Sequence, residues 1–320
     1  MKIWSLIPFL FLASCSNDVN FDTKASSDNF AQDVKYNKKV DILFIVDNSQ
    51  SMNLVQKQLI DQIPYLFDSL QNLNMDIHVA STSTTMNSHF ANVGKLIGEP
   101  KFISNETPGF LDEIKKRILI GDDGSSIEEG LSSMTAVLSN SYLATEGKGF
   151  LRDDSFLNII VLSNEDDSSP GSWTTYTQFL DKLRPDRDDG SKAWALNFFG
   201  VLSMEDQCSS SDWGYKYPGY KYMKVVDYSG GFKGSLCGTD LYRSVSTIKA
   251  KIIQILTDFK LNAPPVMDSI HVFVANTEVP KNDVNGWSYI VEKNSIRFNG
   301  TAVPKPDQGI RVDFKPAEAN

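Results

Sequence analysis

The sequence predicts an α/β fold: a doubly wound, mostly parallel central sheet, followed by a small C-terminal antiparallel β module. Three observations predict it. Val40–Val46, Phe156–Leu162 and Ala193–Leu202 are almost continuous apolar runs. Such runs mark strands covered by helices on both faces. Between them lie amphipathic stretches at helical spacing, which supply the covering helices. Beyond Pro264-Pro265 the apolar period drops to two, as in half-buried antiparallel strands.

Composition bounds the rest. The chain has 320 residues, 41% of them hydrophobic, and a formal net charge of −9. An acidic body of this kind lacks the basic footprint of a nucleic-acid binder. It contains three His and no His-Glu-x-x-His, no phosphate-binding G-x-x-x-x-G-K-[ST] loop and no G-x-S-x-G elbow. Zinc hydrolysis, nucleotide hydrolysis and serine-elbow chemistry are therefore disfavoured.

In chain order, Met1–Ser14 reads as a targeting segment. Lys2 gives a positive start, and Ile3–Leu12 is apolar but too short to span a bilayer. Leu12-Ala13-Ser14-Cys15 resembles the lipobox of bacterial lipoproteins, which implies a lipidated Cys15 and attachment to the membrane through that lipid. Ser16, where some sorting rules place Asp, implies the outer membrane of a bacterial cell envelope. Residues 15–38, polar and poor in apolar side chains, read as a flexible tether. The main domain is expected over residues 39–261 and the β module over 262–320.

After the first strand, Leu54, Val55, Leu59, Ile63, Leu66, Phe67 and Leu70 recur at helical spacing, with Pro64 expected to kink or interrupt the helix. Met75–Ser81 alternates as a strand, and Val93–Ile103 reads as a hairpin or loop. Pro108–Ile120 and Trp173–Leu183 read as helices. Tyr220–Tyr228 reads as a helix ended by Gly230-Gly231, Phe232–Leu236 as a short strand and Leu241–Phe259 as a long amphipathic helix. Strands of the β module are expected over Ser269–Ala275, Trp287–Val291, Ser295–Phe298 and Ile310–Phe314. Trp213, Tyr215, Tyr217 and Tyr220 fall in or beside a long polar loop; they either pack locally or form an exposed contact surface. Cys208 and Cys237, in an exported protein, are expected to form a disulfide.

The chemistry concentrates just past the first strand. Asp47-Asn48-Ser49-Gln50-Ser51 places a carboxylate and two hydroxyls at alternate positions, where α/β sheets bind ligands. Oxygen donors with few charges suit a hard cation such as Mg²⁺. This Asp-x-Ser-x-Ser loop, set between a buried strand and a helix, resembles the metal-ion-dependent adhesion site (MIDAS) of von Willebrand factor A-type (VWA) domains. The resemblance extends to two later loops in the expected order. Ser125, in Gly124-Ser125 before a helix, stands where the family has a ligating Thr. It equally suits a helix N-cap followed by acidic residues that favour the helix dipole. Asn164, after the strand Phe156–Leu162, stands where the family has Asp. That departure removes a charge, which Glu165 and Asp166 could restore. The family implies a binding or adhesion module, not an enzyme. It would hold Mg²⁺, Mn²⁺ or Ca²⁺ and take an acidic group of a protein or other ligand on the open coordination position. Two alternatives stay open: a structural envelope lipoprotein with a degenerate site, and a metal-dependent hydrolase using Asp47, Glu165 and Asp166.

Overall fold

In a computed structural model, the structure describes residues 30–34, 39–72, 75–187, 190–206, 217–236, 245–247, 250, 253, 257–305 and 308–317. The core is a six-stranded sheet. Its strands are β2 (Lys39–Val46), β3 (Asp76–Ser83), β4 (Ile103–Ser104), β5 (Phe156–Ser163), β6 (Trp194–Gly200) and β7 (Lys233–Ser235), in the order β4-β3-β2-β5-β6-β7. All neighbours pair in parallel except β4, which runs antiparallel to β3. This is the doubly wound, mostly parallel sheet that the apolar runs predict.

The side-chain alternation of β2 explains why that strand is apolar from Ile42 to Val46. Val40, Ile42, Phe44 and Val46 enter one core, with Val55, Leu59 and Ile63 of α1 (Asn53–Asn72) and Phe110 and Ile114 of α2 (Phe110–Ile118). Leu43 and Ile45 enter the other. There they join residues of α3 (Gly130–Val137), α5 (Trp173–Leu183) and α6 (Tyr220–Ser229), α4 being the single turn Asn140–Leu143. A strand buried on both faces has no polar side to show. Pro64 lies inside α1 without ending it. Gly230 caps α6 in the left-handed conformation at φ 68°, where glycine avoids the Cβ penalty.

The C-terminal region forms two small antiparallel sheets. One has the order β1-β13-β9-β10 and the other β11-β12-β8. β9 (His271–Val274), β10 (Thr277–Val279), β11 (Trp287–Ile290), β12 (Ser295–Phe298) and β13 (Ile310–Phe314) lie past the double proline. The other two strands come from elsewhere in the sequence. β1 (Phe30–Val34) lies in the segment expected to be a flexible tether, yet it pairs with β13, Phe30 opposite Phe314. β8 (Asp258–Lys260) replaces the end of the expected helix over Leu241–Phe259, because it pairs with β12 and buries Phe259 against Phe298. Phe259, Val272, Ile296 and Val312 belong to the same contiguous core as α1 and α2.

The expected disulfide is corrected: no pair among the three cysteines comes to disulfide distance. Cys15, Cys208 and Cys237 all lie outside the described residues, as do Trp213 and Tyr215. Among the described residues no helix is long and apolar enough to cross a membrane.

Candidate cation site

The strand order reverses at β2: the chain steps outward to β3 and β4, then returns to β5, β6 and β7 on the other side. The crevice at such a switch point, outside the carboxyl ends of the strands, is where open α/β sheets bind ligands. The loops after β2 and β5 flank it. Their backbones are joined there, Asp47 N–H donating to the Leu162 carbonyl at 2.9 Å.

Asp47 is completely buried. One carboxylate oxygen, Oδ1, accepts from the Ser49 N–H at 2.8 Å, and Oδ2 accepts from the Ser163 hydroxyl at 2.8 Å. Ser49 occupies the N-cap position of a short turn, Gln50–Met52, but makes no capping side-chain bond. Its hydroxyl instead meets the Ser51 hydroxyl at 3.2 Å, and Ser51 accepts from the Asn164 amide at 3.1 Å. Gln56, buried on α1, fixes the loop from below by donating to the carbonyls of Asp47 (2.9 Å) and Gly121 (2.8 Å). Four sequence-predicted residues, Asp47, Ser49, Ser51 and Asn164, thus converge in one hydrogen-bonded group.

The second loop reaches this group through Asn48. Gly124 N–H donates to the Asn48 carbonyl at 2.8 Å, and a Cβ on Gly124 would meet the Asn48 side chain at 2.4 Å. Only glycine permits that approach. Thr85, from the end of β3, donates to Asn48 Oδ1 at 2.8 Å and accepts from Ser125 N–H at 3.0 Å. The Ser125 hydroxyl accepts from Ile127 N–H at 3.0 Å, a local turn that leaves it a second lone pair. Ser125 therefore sits beside the first loop rather than in the hydrogen-bonded group around Asp47.

The two reserve acids part ways. Asp166 accepts from the N–H groups of Asp167 (2.9 Å) and Lys221 (2.8 Å), so it ties down the start of α6. Burial raises its pKa. Glu165 stays with the site: its backbone brackets Ser163, and its charge acts on Asp47.

Sequence reasoning missed a second buried acid on which the Asp47 charge acts. Glu128 is expected as a helix-dipole residue, but α3 begins only at Gly130, with no acid in its first turn. Glu128 is instead 1% exposed, held by a hydrogen bond from Thr84 Oγ1 and by Ser168 N–H on its carbonyl at 2.7 Å. Burial, followed by the adjacent Asp47 charge, pushes its pKa up to about 9. Burial also raises Asp47, against the lowering effect of its Ser49 and Ser163 bonds. No Lys, Arg or His side chain is hydrogen-bonded to Asp47 or Glu128 among the described residues. Among those residues, too, no cluster of three or more His, Cys, Asp or Glu side chains is arranged as a metal cage. The donor set at Asp47 is instead two carboxylates, hydroxyls and an amide. An all-oxygen set of low charge fits Mg²⁺, which keeps several waters and takes few carboxylates.

Exposed apolar side chains lie on segments that follow strands of the sheet: Leu54, Ile127, Met204, Tyr217 and Tyr220. The three histidines lie elsewhere. His78 is opposite Asp41 at the far end of β2, and His89 and His271 are exposed.

No protein-family model matches the chain, and no curated protein matches it in sequence. Solved structures of proximal thread matrix protein 1 from the mussel byssus overlap it at TM-score 0.42 and 13% identity, covering 73% of this chain and 52% of that one. A form of that protein with a zinc-occupied MIDAS motif gives the same values, and a further structure gives TM-score 0.41 at 11% identity. The chain spans about half the length of those proteins.

Proposed function

We propose that the protein is a cation-dependent binding module of the VWA kind. Asp47, Ser49 and Ser51 would hold Mg²⁺, or Mn²⁺ or Ca²⁺, with the Ser125 hydroxyl and the Asn164 amide as further oxygen donors. When bound, the cation would supply a positive centre for an acidic group of a protein or other ligand, and the exposed apolar side chains on the segments after the strands would supply contact area. More particularly, the protein is a lipoprotein of the bacterial cell envelope, anchored through Cys15 in the outer membrane, and binds rather than catalyses. One observation carries this reading: at the switch point of the sheet, a fully buried Asp47 is held by a hydroxyl and a backbone N–H, with no basic side chain hydrogen-bonded to it among the described residues.

The test is calorimetric titration of the full chain with Mg²⁺, Mn²⁺ and Ca²⁺, beside Asp47→Ala. One-site binding that the substitution abolishes supports the module. A second reading, a structural lipoprotein with a degenerate site, is favoured by Asn164, which donates to Ser51 and satisfies the loop without a cation. It predicts no titration heat in either protein and equal thermal stability with and without chelator.

A further inference from the structure

We infer that Glu128 is a carboxylate ligand of the cation beside Asp47, supplying the negative charge that Asn164 does not. The inference rests on the reading of this pocket as a cation site, and adds to it a residue outside the three motif loops' expected ligands.

Position is the first argument. Thr84 N–H donates to the carbonyl of Val46 at 3.1 Å, so Thr84 lies directly beside the strand end that carries Asp47. Thr84 then holds Glu128 by its hydroxyl on Oε2, and by its carbonyl on the Glu129 N–H at 2.8 Å. The carbonyl of Glu128 is fixed by Ser168 in the third loop. The residue is thus clamped between the end of β3 and the loop after β5, close enough for the Asp47 charge to act on it.

The second argument is the unsatisfied oxygen. Glu128 Oε1 is buried and receives no hydrogen bond from any N–H or O–H donor. A buried polar atom left without a partner carries a substantial desolvation cost. A divalent cation held at Asp47 gives Oε1 a partner.

The third argument is charge. With Asn164 neutral, Asp47 is the only carboxylate among the motif positions Asp47, Ser49, Ser51, Ser125 and Asn164. Glu128 brings the pair of carboxylates that would neutralise a divalent ion.

The experiment titrates the full chain with Mg²⁺ and Mn²⁺ by calorimetry, and records thermal stability with and without the cation. It compares the parent with Asp47→Asn, Glu128→Gln and the double variant Glu128→Gln/Asn164→Asp. The expected result is at least a tenfold loss of affinity in E128Q, with its stability in chelator retained. The double variant should recover most of that affinity, because a carboxylate returns to the facing loop. Loss in E128Q without recovery means that Glu128 acts only through packing and overturns the inference. Parent-like affinity in E128Q, alongside loss in D47N, overturns the inference but leaves the cation site standing. Equal binding, or none, in the parent and D47N overturns the site itself and this inference with it. Should E128Q fail to fold, Glu128→Asp keeps the charge but withdraws it by one methylene; weaker binding is expected, and parent-like affinity overturns the assignment.

Discussion

Two aspartates, Asp41 near the start of β2 and Asp47 just past its end, are both completely buried, but they live in opposite surroundings. Asp41 is met by Arg152 through the backbone N–H at 2.7 Å and Nε at 2.8 Å, and by the Ser155 hydroxyl. Its charge is neutralised inside the chain. Asp47 has hydroxyls, one N–H and a second acid as neighbours. A buried charge is stable when paired and hydrogen-bonded, and costly otherwise. The first aspartate is a closed structural joint. The second has no basic side chain hydrogen-bonded to it among the described residues, and the proposed cation site rests on that difference.

The comparison breaks most visibly at Asp41. Asp41→Asn removes the buried partner of the Arg152 guanidinium, leaving it Asp76 at 2.6 Å, and should destabilise the protein by about 3 kcal/mol, the lower end for a broken buried pair. Denaturant titration should give the same loss with and without Mg²⁺. At Asp47 the dependence is reversed. In Mg²⁺ at 100 times its dissociation constant, the parent should gain about 2.7 kcal/mol over its chelated form. Asp47→Ala should gain nothing, as read by melting in chelator and in Mg²⁺.

Proton linkage sharpens the same contrast. Glu128 has its folded pKa raised from 4.5 to about 9. The folded state therefore holds a proton that the unfolded state releases, and stability falls as pH rises through that window. The slope is up to about 1.4 kcal/mol per pH unit in chelator, and saturating Mg²⁺ should flatten it. Chemical denaturation across the window checks both slopes. The smallest effect belongs to Lys39, which pairs with Asp154 at 2.8 Å on the surface. Lys39→Ala should cost less than about 1 kcal/mol, and that cost should shrink further in high salt.

The central sheet was legible because strands buried on both faces are apolar at nearly every position, as β2 and β5 are apart from Lys39, Asp41, Asn158 and Ser163. The ends of the chain were harder. Phe-Ala-Gln-Asp-Val in β1 carries no strong strand pattern, and its pairing is decided by a partner at the other end of the sequence. Phe259 fits an amphipathic helix as well as a strand, and β12 decides the matter. At the site, Asp47, Ser49 and Ser51 were readable from spacing, since one loop presents all three. Asn164 was readable from its place after a core strand. Glu128 was not, because nothing local distinguishes a buried acid from one at a helix start; its burial follows from Thr84 and Ser168, both remote in sequence.

The pairing of β1 with β13 also sets an order of events during synthesis. β1 sits at the edge of its sheet and has β13 as its neighbour there. It leaves the ribosome first, but cannot dock until almost the whole chain has followed. Contacts so distant in sequence close slowly. The parallel strands β2, β3, β5, β6 and β7 can therefore pair while β1 is still waiting, and docking of β1 against β13 becomes a late step.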